Sequence, residues 1–256
     1  MEAANPAELA IDMQGVAAGS LRDQTRAVVE DVNWQVAVGD YWVLAGLQGA
    51  GKSDFLMMTG GLMPPLAGSY KLFGEDMPIF EEGRLRKRLR MGLAFETGQL
   101  FNHLTVGENI ALPLRYHENL GEADAHRRAQ PFLDAMELAP WASSTPGALG
   151  RNWQKRVGLA RALVLNPELL LVDSPLTGLD LRHVSWWRGF LQELSRGHEL
   201  MNRRPVTLVV SAADLRPWRD RARQIAILKD KHLWVFKDWF QLDEKSGEMV
   251  HELLAT

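Results

Sequence analysis

The 256-residue chain has no cysteine. This excludes a disulfide scaffold, thiolate zinc sites and cysteine nucleophiles, and it suits a reducing compartment. No apolar run approaches the ~18 residues that cross a membrane as a helix. The opening MEAANPAELA is acidic and broken by Pro6, unlike a signal peptide. No Gly-, Ser- or Pro-rich linker divides the chain and no internal repeat is present, so residues 1–256 read as a single domain. Net charge is −3, which leaves no global basic footprint and argues against a nucleic-acid partner. The seven histidines show no metal-ligand spacing. What remains is an ordinary globular composition, 46% hydrophobic and 24% charged, with enough chain for a sizeable core. Tryptophan, at nine residues, is the one abundant oddity.

Short apolar strands alternate with helical stretches, the pattern of an α/β fold. Strands are predicted at Val28–Val38, Tyr41–Ala45, Ser69–Phe73 and Met91–Phe95. Leu169–Val172 and Val206–Ser211 lack alternation, as expected of parallel strands covered on both faces. Ile225–Leu228 and Leu233–Phe236 read as a hairpin. Helices are predicted at Gly51–Gly60, across 105–140 with stops near Pro113, Gly121 and Pro131, and after a loop within Gly147–Asn166. The basic run Arg84–Arg90 reads as a solvated helix face.

Gly46-Leu-Gln48-Gly49-Ala50-Gly51-Lys52-Ser53 matches G-x-x-x-x-G-K-[ST], between a strand and a helix. Glycines there let backbone N–H groups turn toward phosphate oxygens, and the helix N-terminus adds partial positive charge. Lys52 can reach the β- and γ-phosphates, and Ser53 can ligate Mg²⁺. A chance match in a chain of this length is on the order of 1 in 100. Leu169–Asp173 adds an apolar strand ending in a carboxylate, the usual support for the Mg²⁺ shell in such proteins. Together these imply ATP and Mg²⁺ as cofactors.

In order along the chain, the motifs resemble those of the ABC transporter ATPase subunits. Gly46–Ser53, with Asp54 following, is similar to the Walker A loop, Leu169–Asp173 to Walker B, and Thr177-Gly178-Leu179-Asp180 to the D-loop. Leu149-Gly150-Arg151-Asn152-Trp153 and the following helix resemble the signature loop, usually LSGGQ, at the family's usual distance from Walker B. Arg86–Phe101, Leu104–Asn109 and Ala111–Arg115 are most similar to the bacterial phospholipid-transport branch, which works with MCE-domain lipid carriers. The resemblance implies a P-loop core with a parallel sheet, an N-terminal antiparallel β-layer and an inserted helical subdomain near 98–157. It also implies two partners, a transmembrane permease and a second ATPase subunit in a homodimer or heterodimer. The location implied is cytoplasmic, peripheral at the inner membrane face through the permease. Gly98–Arg115, with Phe101, Leu104 and Val106, matches the region that receives the permease's helix.

Departures from the family pattern fall on the hydrolytic groups. Ser174 stands where a catalytic Glu is usual, and Ala212 where a switch His is usual. Glu96 replaces the Q-loop Gln and remains a candidate Mg²⁺ ligand with Ser53 and Asp173. Gly150, Arg151, Asn152 and Trp153 replace the Ser-Gly-Gly-Gln that clamps the opposing subunit's nucleotide, and Arg151 can either donate to a phosphate or obstruct it. Ala18 falls where an aromatic stacks on adenine, with Arg22 or Arg26 as weak replacements. Trp186-Trp187 reads as core packing or as an interface anchor. The leading expectation is an ATP-binding transporter subunit with little or no hydrolysis. The alternatives are a non-enzymatic, nucleotide-regulated scaffold and an active ATPase with a non-standard base; a P-loop kinase fits the signature and D-loop poorly.

Overall fold

Period-two alternation in β-strand 3 sets the architecture. Tyr41, Val43 and Ala45 enter one hydrophobic core, while Trp42 and Leu44 enter another on the opposite face. The computed structural model describes residues 8–79 and 82–245. Strand β3 (Tyr41–Ala45) lies within a six-stranded sheet with β6 (Met91–Ala94), β7 (Leu169–Val172), β8 (Thr207–Ala212), β9 (Gln224–Lys229) and β10 (His232–Phe236). The order is β10-β9-β3-β8-β7-β6, parallel throughout except for β10. Every residue of β3, β7 and β8 is buried, which is why these runs carry no polar alternation. A separate antiparallel sheet, in the order β2-β1-β4-β5, is built from β1 (Leu9–Gly19), β2 (Ala27–Ala37), β4 (Ala67–Leu72) and β5 (Glu75–Asp76).

Helix α1 (Lys52–Thr59) packs in the core shared by the two sheets, where Phe55 meets Trp34 and Trp34 meets Trp42 edge-on. A short α2 (Leu85–Arg88) precedes β6. Between β6 and β7 run α3 (Val106–His117), α4 (Glu122–Ala135) and α5 (Arg151–Leu163). Helix α6 (Leu181–Arg196) follows β7, and α7 (Trp239–Lys245) follows β10. Among the described residues, no helix is long and apolar enough to cross a membrane.

Several local expectations change. Pro113 and Pro131 do not end helices: α3 and α4 run through them. Ile110, Ala111 and Leu114 around Pro113 are fully buried, and that packing outweighs the ~3 kcal/mol a mid-helix proline costs. Pro131 is exposed, as is Arg127, so the Arg127 carbonyl that the proline leaves without a helical donor can meet water. Glycine 121 does mark a boundary, as the N-cap of α4. The basic run is not a freely solvated face. Arg84 and Lys87 pair with Glu75, while Arg90 pairs with Glu168 at 2.8 Å and lies 3.7 Å from the Phe73 ring centroid. The β9–β10 hairpin forms as expected, with Asp230 and Lys231 both left-handed at the turn.

Because β3, β6, β7 and β8 are parallel, their carboxyl ends converge at one edge of the sheet. That edge carries Gly46, Glu96 and Asp173 in the loops and Ala212 as the last residue of β8. Helix α5 is drawn close to that edge: a Cβ on Gly158 would sit 2.7 Å from Gly98 Cα, and Arg161 donates to the Gly98 and Gln99 carbonyls.

Candidate functional site

The loop between β3 and α1 depends on its glycines. A Cβ on Gly46 would lie 2.7 Å from the Leu228 carbonyl oxygen, and one on Gly51 2.8 Å from Val28 Cβ. Gly49 and Gly51 have φ of 83° and 94°, conformations that glycine adopts without steric cost. No side chain caps α1, so its first-turn N–H groups stay open at the helix's positive end. Leu47, Gln48 and Gly49 are exposed, with Ala50 half-buried behind them. Lys52 is 7% exposed, and its ammonium donates to the Gly46 carbonyl at 2.7 Å and the Leu47 carbonyl at 3.0 Å. Burial holds its pKa below the usual lysine value, opposed by the carboxylates of Asp173 and Glu96. Asp54 is occupied locally: its Oδ1 accepts from Leu21 N–H and anchors the β1–β2 loop.

Asp173 is 7% exposed. Its Oδ1 accepts from Ser211 Oγ at 2.7 Å and from Ser174 Oγ at 3.3 Å, and Ser174 N–H donates to Ser211 Oγ at 2.8 Å. The carboxylate is thus held by two hydroxyls. Register makes this possible, since Val172 pairs with Val210 and leaves Asp173 beside Ser211. A cavity of about 250 Å³ opens next to it, lined by Ser174, Thr177, Ser211, Ala212 and Trp218 among others. Among the described residues neither Glu nor His lines it, and its one carboxylate, Asp214, is paired with Arg216 at 2.7 Å. His183 points elsewhere, to the Arg156 guanidinium, and His198 lies near Glu193.

Helix α5 closes the site through a residue absent from the sequence-based candidates. Lys155, 7% exposed, donates to the Thr177 carbonyl at 2.8 Å, to Ser174 at 3.2 Å and to Pro175 at 3.4 Å. Burial depresses its pKa, while Glu96 and Asp173 oppose the shift. The signature-like loop is therefore tied to the turn after β7. Within that loop Leu149 is buried, Gly150 is the N-cap of α5 with open space where a Cβ would project, and Arg151 is exposed. Asn152 is half-buried. Beyond the turn, Gly178 has φ 72°, Asp180 caps α6 through His183 N–H, and Leu181 is 88% exposed.

Other expected positions move inward. Trp153 packs against Trp141 (4.6 Å between centroids) and, with Trp186, flanks the buried Arg156 guanidinium. Arg156 also donates to Glu137 at 2.8 Å and to the Met136 carbonyl. Trp187 is 1% exposed, so core packing is the outcome for that residue. Ala18 is fully buried in β1 opposite Val29, so it presents no surface for a base to stack on. Ser211 and Lys155 were not singled out in the sequence, because an isolated Ser ending an apolar strand and a Lys within a basic helix carry no distinctive signal.

The residues fit a nucleoside triphosphate with Mg²⁺: open helix N–H groups, a buried lysine and a desolvated carboxylate with no cationic hydrogen-bond partner among the described residues converge at one sheet edge. Fold and site together define a P-loop nucleotide-binding cassette. The ABC transporter family profile matches residues 29–177, and the chain belongs to that family. It is 31% identical over 224 residues to the intermembrane phospholipid transport system ATP-binding protein MlaF of Escherichia coli K12, covering 87% of this chain and 80% of that one. It is also 30% identical over 210 residues to the methionine import ATP-binding protein MetN of Lacticaseibacillus paracasei, covering 81% of this chain and 58% of the relative. Among solved structures, a dimeric bacterial ABC transporter cassette superposes with a TM-score of 0.76 at 27% identity, over 89% of this chain and 98% of that one.

Proposed function

We propose that this chain is the ATP-binding subunit of an ABC-type transport complex, that it binds Mg-ATP, and that it hydrolyses ATP slowly or not at all. The observation that carries this reading is the contrast inside one site. The phosphate loop and Asp173 adjoin a cavity lined by Ser174 and Ala212, with no Glu or His among the described residues that line it, and its one lining carboxylate, Asp214, is held by the Arg216 guanidinium. A serine hydroxyl is a very poor base near neutral pH, and losing a general base typically costs about 10²–10⁴-fold in rate. Lys52 and the α1 N–H groups would hold the phosphates, and Ser53, Asp173 and Glu96 the Mg²⁺. Bound Mg-ATP supplies the charge that draws these groups together.

The chain acts as one cassette, with the helical part near 98–157 meeting a transmembrane permease and placing the subunit at the cytoplasmic membrane face. A second ATPase subunit, identical or homologous, completes the pair. Similarity to MlaF favours a lipid as the cargo of the complex. Two measurements on the purified chain test this. Millimolar Mg-ATP is expected to raise the melting temperature, and turnover is expected to fall at least about 10²-fold below that of a hydrolysing relative. Turnover normal for the family would overturn the impaired-catalysis claim. Absence of any thermal shift would select the scaffold reading instead.

A further inference from the structure

A second, larger cavity of about 840 Å³ lies at the opposite edge of the parallel sheet from the phosphate loop. Its walls come from the start of β3 (Tyr41), the approaches to β8 and β9 (Pro205, Arg223), the last turns of α6 (Gln192, Arg196) and the start of α7. Four arginines line it against two aspartates. Arg219 pairs with Asp243, and Arg221 shares Asp220 with Arg188. Arg196 and Arg223 form no ion pair among the described residues. Two residues of the same lining carry unpartnered polar atoms: the Tyr41 hydroxyl and Gln192 Oε1 are both buried and make no hydrogen bond among the described residues. Tyr41 is only 4% exposed, and its hydroxyl lies within electrostatic range of Arg188, Asp220 and Arg221. Native structures leave few buried polar groups unsatisfied, so these two atoms at the cavity wall keep hydrogen-bonding capacity for a polar ligand or water. Trp239 and the 70% exposed Phe240 give the mouth an apolar rim.

We infer that this cavity binds a hydroxyl-bearing phosphate ester of the glycerol phosphate type. Arg196, Arg223 and the Tyr41 hydroxyl supply donors from three elements for the phosphate oxygens, as guanidinium forks suit. Gln192 Oε1 accepts from a ligand hydroxyl, and the aromatic rim covers a carbon chain. The same chemistry is offered by a soluble ester and by an anionic phospholipid headgroup. The inference does not depend on the proposed transport role, because it uses none of the phosphate-loop residues.

The test uses the full chain carrying Lys52→Ala, which weakens phosphate capture at the first site. Glycerol 3-phosphate and inorganic phosphate are titrated calorimetrically. Vesicles of phosphatidylglycerol are compared with phosphatidylcholine by flotation. Glycerol 3-phosphate is expected to bind, about tenfold more weakly when Arg196→Ala and Arg223→Ala are combined and about fivefold more weakly with Tyr41→Phe. The two arginines are exposed and Tyr41→Phe removes a single oxygen, so both variants should keep the wild-type melting temperature. Binding of the soluble ester alone assigns a free metabolite. Arginine-dependent flotation with phosphatidylglycerol assigns a headgroup. No binding by either probe, or binding that the arginine and tyrosine variants leave unchanged, overturns the site. Equal affinity for inorganic phosphate overturns the hydroxyl-bearing assignment.

Discussion

Ser174 has a left-handed backbone, φ 45°, which costs a non-glycine residue about 1–3 kcal/mol. Two interactions hold it there: its N–H donates to Ser211, and its carbonyl accepts from Lys155. Lys155 thus orders the turn that carries Thr177 and Asp180. Replacing it with Met removes the ammonium from three carbonyls, of which only Ser174's keeps a backbone donor (Thr177 N–H at 3.3 Å), and should lower stability by about 2 kcal/mol. Hydrogen exchange should quicken across 174–180, and unchanged protection there would contradict the assignment. The cavity beside Ser174 has room for what is missing. Ser174→Glu combined with Ala212→His should raise ATP turnover by about 10²-fold, measured by phosphate release. No gain would locate the block at Gly150–Trp153 instead.

Among the elements, β6 and β7 show how surface charge supports a buried sheet. Arg90, at the entrance to β6, binds Glu168, at the entrance to β7, through two hydrogen bonds, and its carbonyl accepts from Glu168 and Leu169. The guanidinium holds the Glu168 carboxyl below its ordinary value of 4.5. This pair therefore stabilises the fold fully above pH 4.5, and the contribution fades as pH falls through the lowered value. Unfolding titrations of Glu168→Gln should show a shallower loss of stability below pH 4.5 than wild type; parallel curves would remove the pair from the account. The helical insert is organised differently. Arg156 joins α5 to the end of α4 through Met136 and Glu137, and to α6 through His183 and Trp186. This cluster absorbs much of the unusual tryptophan content.

At the scale of the molecule, the phosphate loop and the first residue of α6 present apolar side chains outward. Leu181 is 88% exposed and Leu47 46%. Leu47 lies in the phosphate loop and Leu181 directly follows Thr177–Asp180, and these apolar side chains are candidates for contact with the second ATPase subunit proposed above. Mg-ATP should therefore shift the purified chain toward about twice the monomer mass in light scattering. Leu181→Asp should prevent the shift while leaving nucleotide-dependent thermal stabilisation intact. A monomer with and without Mg-ATP would instead call for a different subunit as partner. The two cavities lie at opposite edges of the same parallel sheet, so a ligand at Tyr41 and a nucleotide at Gly46 are joined by a single five-residue strand.

What the sequence determined by itself was local or repetitive. The glycine loop, the uniformly apolar strands and the carboxylate ending one of them are legible because each rests on backbone chemistry within a few residues. The P-loop fold, and with it the place of Lys52 and Asp173, follows from those signals. Tertiary structure alone decided the rest, since it depends on partners far away in the chain. Proline 113 stays helical because its neighbours are buried. Trp153 and Trp187 turn inward because Arg156 and the core receive them. Lys155 reaches a turn on another element, and Tyr41 becomes a buried hydroxyl in an arginine-lined cavity only when β3, α6 and the approach to β9 are brought together. Packing and desolvation act between residues distant in sequence, and no spacing along the chain encodes them.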